Sequence, residues 1–174
     1  MAGLVERMIR ASLLDVRLYE EVEGDRNLTS QAMLVVIISS LAAGFGGIGT
    51  FGVRGLLMGT VYALISWVVW AILTFFIGTK LLPEPQTKSD PGELLRTIGF
   101  ASSPGVIRIL AFIPILGWLI SLVAMVWMLV TMVIAVRQAL DYQSTLRAVG
   151  VCVIGWIVMI ILSAIFMTPL MRLG

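Results

Sequence analysis

From Asn27 to Val53 the chain carries no charged side chain, and after Arg54 a second charge-free stretch, Gly55 to Thr79, runs for 25 residues. At 1.5 Å per residue a helix of this length crosses a hydrocarbon core of roughly 30 Å. These stretches predict two membrane spans joined by at most a few residues, an antiparallel hairpin. The composition agrees. Hydrophobic residues make up 59% of the chain and the mean hydropathy is +1.04, which excludes a water-soluble globular domain, a disordered chain and a disulfide scaffold.

The 12 Lys and Arg and 10 Asp and Glu are unevenly placed, and sixteen of them fall in residues 1–30 and 80–96. The first 30 residues are too charged for a secretory signal, which needs an unbroken apolar core. Leu4, Val5, Met8, Ile9, Leu13 and Val16 recur at helical spacing, with Glu6, Arg7, Arg10 and Arg17 turned away. That pattern fits an amphipathic helix lying in the bilayer interface and equally a solvated helix packed on neighbouring loops. A second short helix from Asp15 to Val22 should stop at Gly24.

Residues 80–96 hold Pro83, Pro85, Pro91 and six charges, and read as a solvated loop. Beyond it, a single helix from Pro104 to Val136 would be about 50 Å long, too much for a bilayer. Pro114-Ile115-Leu116-Gly117 offers the break. The expected fold is therefore an all-α, five-span transmembrane bundle with an N-terminal amphipathic interfacial helix. Residues 1–28 form the N-terminal segment and 29–174 the transmembrane domain, with spans at about 31–49, 56–79, 95–113, 118–136 and 149–170. A cytoplasmic N-terminus puts Arg7, Arg10, Arg17, Arg26, Lys80, Lys88, Arg96, Arg137 and Arg147 inside, nine against Arg54 and Arg172 outside. A four-span alternative scores almost as well on charge, and the length of 104–136 decides against it.

Gly44-Phe45-Gly46-Gly47-Ile48-Gly49 spells a dinucleotide motif, but it ends a membrane helix and lacks the strand and crevice such a site needs. Close helix packing is the better reading: Ser39, Ala43 and Gly47 step by four along span one, as do Gly55, Gly59 and Ala63 on span two. Thr29 or Ser30 suits the N-cap of span one. Met125, Met128 and Met132 share a face of span four, yet without His or a second Cys no metal is expected. No cofactor is implied either. Cys152, the one cysteine, reads as a small buried apolar residue.

No Asp, Glu or His falls within a span, so no catalytic residue is assigned and an enzyme is the least favoured class. No basic run with interleaved aromatics points to nucleic acid. Arg108 is the one charge inside a span, and it follows Ser102, Ser103 and Pro104, where the helix should kink or break. It either snorkels, caps carbonyls freed by the prolines, stacks on Trp127 or Trp156, or forms an anion-attracting site.

Arg96-Thr97-Ile98-Gly99-Phe100-Ala101-Ser102-Ser103-Pro104 resembles the Gly-aromatic-small run with a following Pro that marks the Yip family, in its prokaryotic branch. Leu18-Tyr19-Glu20-Glu21-Val22 and Ala135-Val136-Arg137-Gln138-Ala139-Leu140 fit the same pattern, so the resemblance covers about residues 10–170. It implies five spans and a cytoplasmic N-terminus. Eukaryotic members bind Rab GTPases and serve vesicle traffic, but their Asp-Leu-Tyr-Gly-Pro motif is absent here. The expected role is thus a non-enzymatic membrane-organising, trafficking or adaptor protein of a prokaryotic cytoplasmic membrane. Its partners are the lipid bilayer and a protein at the cytoplasmic surface formed by 1–28, 80–96 and 137–147, with a homo-oligomer left open. The alternative is a small transporter or channel with a site at the broken third span.

Overall fold

The computed structural model describes residues 3–171, in which seven α-helices and no strand occur. Two short helices, α1 (Leu4–Ser12) and α2 (Val16–Gly24), precede α3 (Thr29–Gly46) and α4 (Ile48–Phe76), which a π-type turn, Ile77–Leu81, extends. The third span is composite, with α5 (Pro91–Ala101) continuing as a 3₁₀ segment, Ser103–Phe112, and α6 (Gly117–Ala139) and α7 (Thr145–Met171) complete the bundle. Five stretches are long and apolar enough to cross a membrane: Arg26–Gly46, Gly52–Leu81, Pro91–Phe112, Gly117–Ala139 and Thr145–Ile165. The chain is an all-α membrane bundle, cut as length and Pro114 suggested. Arg172 lies outside the described residues.

Local chemistry sets the ends. Asp15 caps α2 by accepting from Arg17 N at 3.0 Å. Span one is not capped by Thr29 or Ser30, whose hydroxyls turn back to the carbonyls of Arg26 and Asn27 at 2.9 and 3.4 Å. Asp25 takes that role instead, accepting from Asn27 N at 2.9 Å and opening a 3₁₀ turn, Arg26–Leu28, that runs straight into α3. The 80–96 loop is also shorter than expected. Asp90 and Glu93 form a reciprocal capping box around Pro91, so α5 starts there, and Leu94 and Arg96 are buried in the bundle. One residue, Gly47, joins α3 to α4, and α4 is kinked at Gly52, whose φ of 62° and ψ of −173° suit only glycine. At the break before α6 the left-handed residue is Ile115 (φ 71°), 87% exposed, while Gly117 begins the helix.

Successive spans alternate in direction, so the start of α3, end of α4, start of α5, end of α6 and start of α7 meet at one end of the bundle, termed here the N-terminal face. The core sits there. Leu18, Tyr19, Val22, Leu94, Ile98, Phe100, Val136, Leu140 and Val151 are all at most 2% exposed. α2 packs on α5 and α6, and α1 on the third span. At Gly99 a Cβ would lie 2.7 Å from Ala32 Cβ and 3.1 Å from Ala32 O, a close crossing of α3 and α5 that no larger residue allows.

Candidate functional site

Pro104 has no amide to give the carbonyl of Phe100, and α5 accordingly stops at Ala101. The freed carbonyls are taken up by hydroxyls: Ser103 donates to Phe100 O at 2.6 Å, Ser102 to Ile98 O at 3.4 Å, and Thr131 of α6 to Ala101 O at 2.7 Å. The chain then continues as the 3₁₀ segment, which puts Arg108 four residues short of the far end of the span at Phe112.

Arg108 does not snorkel outward. Its carbonyl packs against Gly46 at the end of α3, but its side chain runs back to Ser39, two turns or roughly 10 Å deeper along that helix. There Nε donates to Gly105 O at 3.2 Å and Nη2 to Ser39 Oγ at 3.5 Å. Gly105 makes the fold-back fit, since a Cβ on it would meet Ser39 Oγ, with Arg108 Nη2 and Met128 Sδ each at 2.9 Å. Carbonyl capping is thus present, whereas Trp127 is committed elsewhere, its indole N–H donating to Ser12 O at 2.8 Å. No ion pair to Arg108 exists among the described residues.

Arg108, Trp70, Met128 and Met132 line two adjoining cavities of about 240 and 470 Å³ inside the bundle. Trp156, 48% exposed, lines the larger one. Trp70 is only 8% exposed, and its indole N–H is the one buried side-chain donor without a partner among the described residues. No group of three His, Cys, Asp or Glu arranged to hold a metal occurs among those residues.

The small residues expected to join spans one and two do not share one interface. Ser39 and Ala63 face the smaller cavity, Ala43 is partly buried, Gly47 forms the turn, and Gly55 is partly buried beyond the Gly52 kink. Gly59 is exposed with no atom within 4 Å of where a Cβ would stand, so the small-residue face assigned to span two does not hold the hairpin together there. α3 and α4 instead cross closely at Gly44, where a Cβ would lie 3.1–3.3 Å from Leu56.

A second arrangement, unforeseen in the sequence, fastens the N-terminal face. Arg96, 4% exposed, donates through Nε to Val22 O at 2.9 Å and through Nη2 to Glu23 O, closing the C-terminal end of α2. Tyr142 donates to Gly78 O or Leu82 O (2.9 and 2.7 Å), next to the π-type turn. Glu84 accepts from Gln143 N and Ser144 N at 2.9 and 3.3 Å, capping α7, and these amides hold its carboxyl below the usual range. Between α1 and α2, Arg10 pairs with Asp15 at 2.7 Å and Glu21 at 2.9 Å, and Arg7 with Glu21 at 3.0 Å. The hydrogen bond from Arg10 lowers the Asp15 pKa. Burial, reinforced by Glu93, Asp141 and Glu20 against the opposing Arg96, pushes the Glu23 carboxyl up to about 7. Trp127 stands near the middle of α6, so its bond to Ser12 docks α1 on the flank of the bundle, with Val5, Ile9 and Leu13 exposed at 68, 54 and 71%.

A family model described as the Yip1 domain matches residues 16–166. No curated protein matches the chain, and no solved structure does.

Proposed function

This chain belongs to the Yip1 domain family, and on that premise we propose that it organises membrane without catalysis, as an adaptor whose N-terminal helices occupy one leaflet. The carrying observation is the placement of α1. Trp127 and Arg96 tie the α1–α2 hairpin to the spans, while Val5, Ile9 and Leu13 face outward from the bundle. A helix held in this way adds volume to one leaflet only, which favours a curved bilayer. The same face offers charged side chains to a protein partner: Glu20, Arg26, Lys80 and Lys88 are exposed. The nine-to-two distribution of Lys and Arg supports a cytoplasmic N-terminal face.

The test is vesicle size. Reconstitution of the wild-type protein should shift liposomes to smaller diameters in cryo-electron micrographs, and Val5→Glu/Ile9→Glu should lose the shift while retaining the fold. Equal diameters with wild-type protein, variant protein and no protein would overturn the proposal.

A further inference from the structure

Three features of the bundle interior point to one ligand. Arg108 is a cation with no counter-ion among the described residues, held inside a membrane-spanning bundle by one carbonyl and one hydroxyl. Trp70, 92% buried, carries the one unpartnered buried side-chain N–H among the described residues, and its ring lines both cavities that Arg108 lines. Two further cavities of about 440 and 350 Å³ run between α4 and α7 from Trp70 and Met159 out to Tyr62, Ile65 and Ile160, which are 54, 59 and 66% exposed on the surface of the bundle.

We propose that this cavity binds one long-chain carboxylate drawn from the bilayer, its head on Arg108 and Trp70 and its acyl chain along the cleft between α4 and α7. The charge of the head follows from Arg108, because a lone guanidinium in a low-dielectric interior favours an anion, and its planar fork of donors matches a carboxylate. The chain follows from the rest of the lining. Met125, Met128, Met132, Val153 and Trp156 offer apolar, adaptable walls, and thioethers repack readily around a flexible ligand. At about 470 Å³ the main chamber is within the range of small-molecule sites.

A small head also fits better than a glycerophosphate. The polar groups available are one guanidinium, one indole N–H and the hydroxyls of Ser39, Ser66 and Ser102. Ester and glycerol oxygens would enter an apolar chamber with too few donors, and unpaired polar groups there are costly. The lateral cleft supplies the route, since an amphiphile dissolved in the bilayer enters between α4 and α7 without crossing water. This site lies away from α1 and stands whether or not the one-leaflet reading of that helix holds.

The experiment uses the full-length protein in neutral detergent micelles, titrated with 9,10-dibromostearate while tryptophan fluorescence is followed, and melted with oleate, oleyl alcohol, acetate or phosphatidylglycerol. Saturable quenching is expected, with a rise in melting temperature from oleate and little from the other three. Trp70→Phe should remove part of the quenching, and Arg108→Leu should weaken binding at least tenfold while Arg108→Lys retains part of it. Oleyl alcohol equal to oleate would overturn the role of Arg108, acetate equal to oleate would make this a small-anion site, and phosphatidylglycerol alone would reassign it to a phospholipid. Should Arg108→Leu not fold, unchanged oleate affinity in both Arg108→Lys and Trp70→Phe overturns the proposal.

Discussion

The two ends of this bundle are built from the same apolar helices and held together differently. At the N-terminal face Arg96, Tyr142 and Glu84 each send or receive a hydrogen bond across elements, and the core side chains packed beside them are almost fully buried. At the far end the helices diverge: Gly59 meets nothing, the start of α6 shows Trp118 at 68% and Leu119 at 42%, and cavities separate α4 from α7. Lipid competes with apolar contacts as well as another helix does, so apolar contacts alone fasten membrane helices weakly. Polar clasps to backbone carbonyls close one end, and the other is left able to open.

The largest effect expected from breaking a clasp is at Arg96. Arg96→Leu strips two donors from the carbonyls of Val22 and Glu23 and should cost about 3 kcal/mol, the scale for charge-assisted bonds in a buried setting. It should also release α2. Faster tryptic cleavage at Arg17 and Arg26 with intact far-ultraviolet helicity is the readout, and wild-type protease resistance would show that packing alone holds the hairpin.

The contrast sharpens with bulk placed at each end. Gly99→Leu meets Ala32 and should destabilise by about 1–3 kcal/mol, as overpacked cores do. Gly59→Leu enters open space and should stay within about 0.5 kcal/mol of wild type, as surface changes do. Detergent melting of the pair tests this, and similar losses at both positions would mean that the far end is as tightly packed as the near one. A smaller loss, about 1 kcal/mol, is expected for Tyr142→Phe, which removes the hydroxyl facing the carbonyls of Gly78 and Leu82. Hydrogen exchange at 77–82 should rise in that variant and nowhere near Arg108.

The sequence was most informative where a feature acts locally. Charge-free length marked the first two spans, helix length with Pro114 divided the third from the fourth, and Pro104 announced its own break because a missing amide acts on the carbonyl one turn back. It was least informative where a feature depends on a neighbour. Spacing puts Gly55, Gly59 and Ala63 on one helical face but does not say what that face meets, and Gly59 meets nothing. Arg96 fell where the 80–96 loop and the span beginning near 95 overlap, and only the capping box of Asp90 and Glu93 shows that it is helical and turned into the core. Trp70 gave no signal, since whether an indole N–H finds an acceptor is decided by α6 and α7.

The smallest expected effect probes the near end through acidity. Glu23 sits half-buried at the end of α2, facing Glu93, Asp141 and Glu20, with Arg96 as the opposing cation, and its carboxyl is pushed from 4.5 up to about 7. A carboxyl with a raised folded-state pKa is bound to its proton more tightly in the folded chain than in the unfolded one. Its contribution is therefore fully present below about pH 4.5, and it is lost as pH rises through about 7. Because the group is partly solvated, screening keeps the change to about 1 kcal/mol or less. Melting between pH 5 and 8 should show stability falling with pH in wild type, and Glu23→Gln, which keeps the shape and removes the charge, should flatten that slope. Glu21, which Arg7 and Arg10 hold below its usual range despite burial, gives the opposite sign: its contribution is present above the unfolded value and fades as pH falls through the lowered one. Glu21→Gln should therefore leave the slope between pH 5 and 8 intact. A slope unchanged by Glu23→Gln would place the titrating group elsewhere than at the clasp formed by α2 and Arg96.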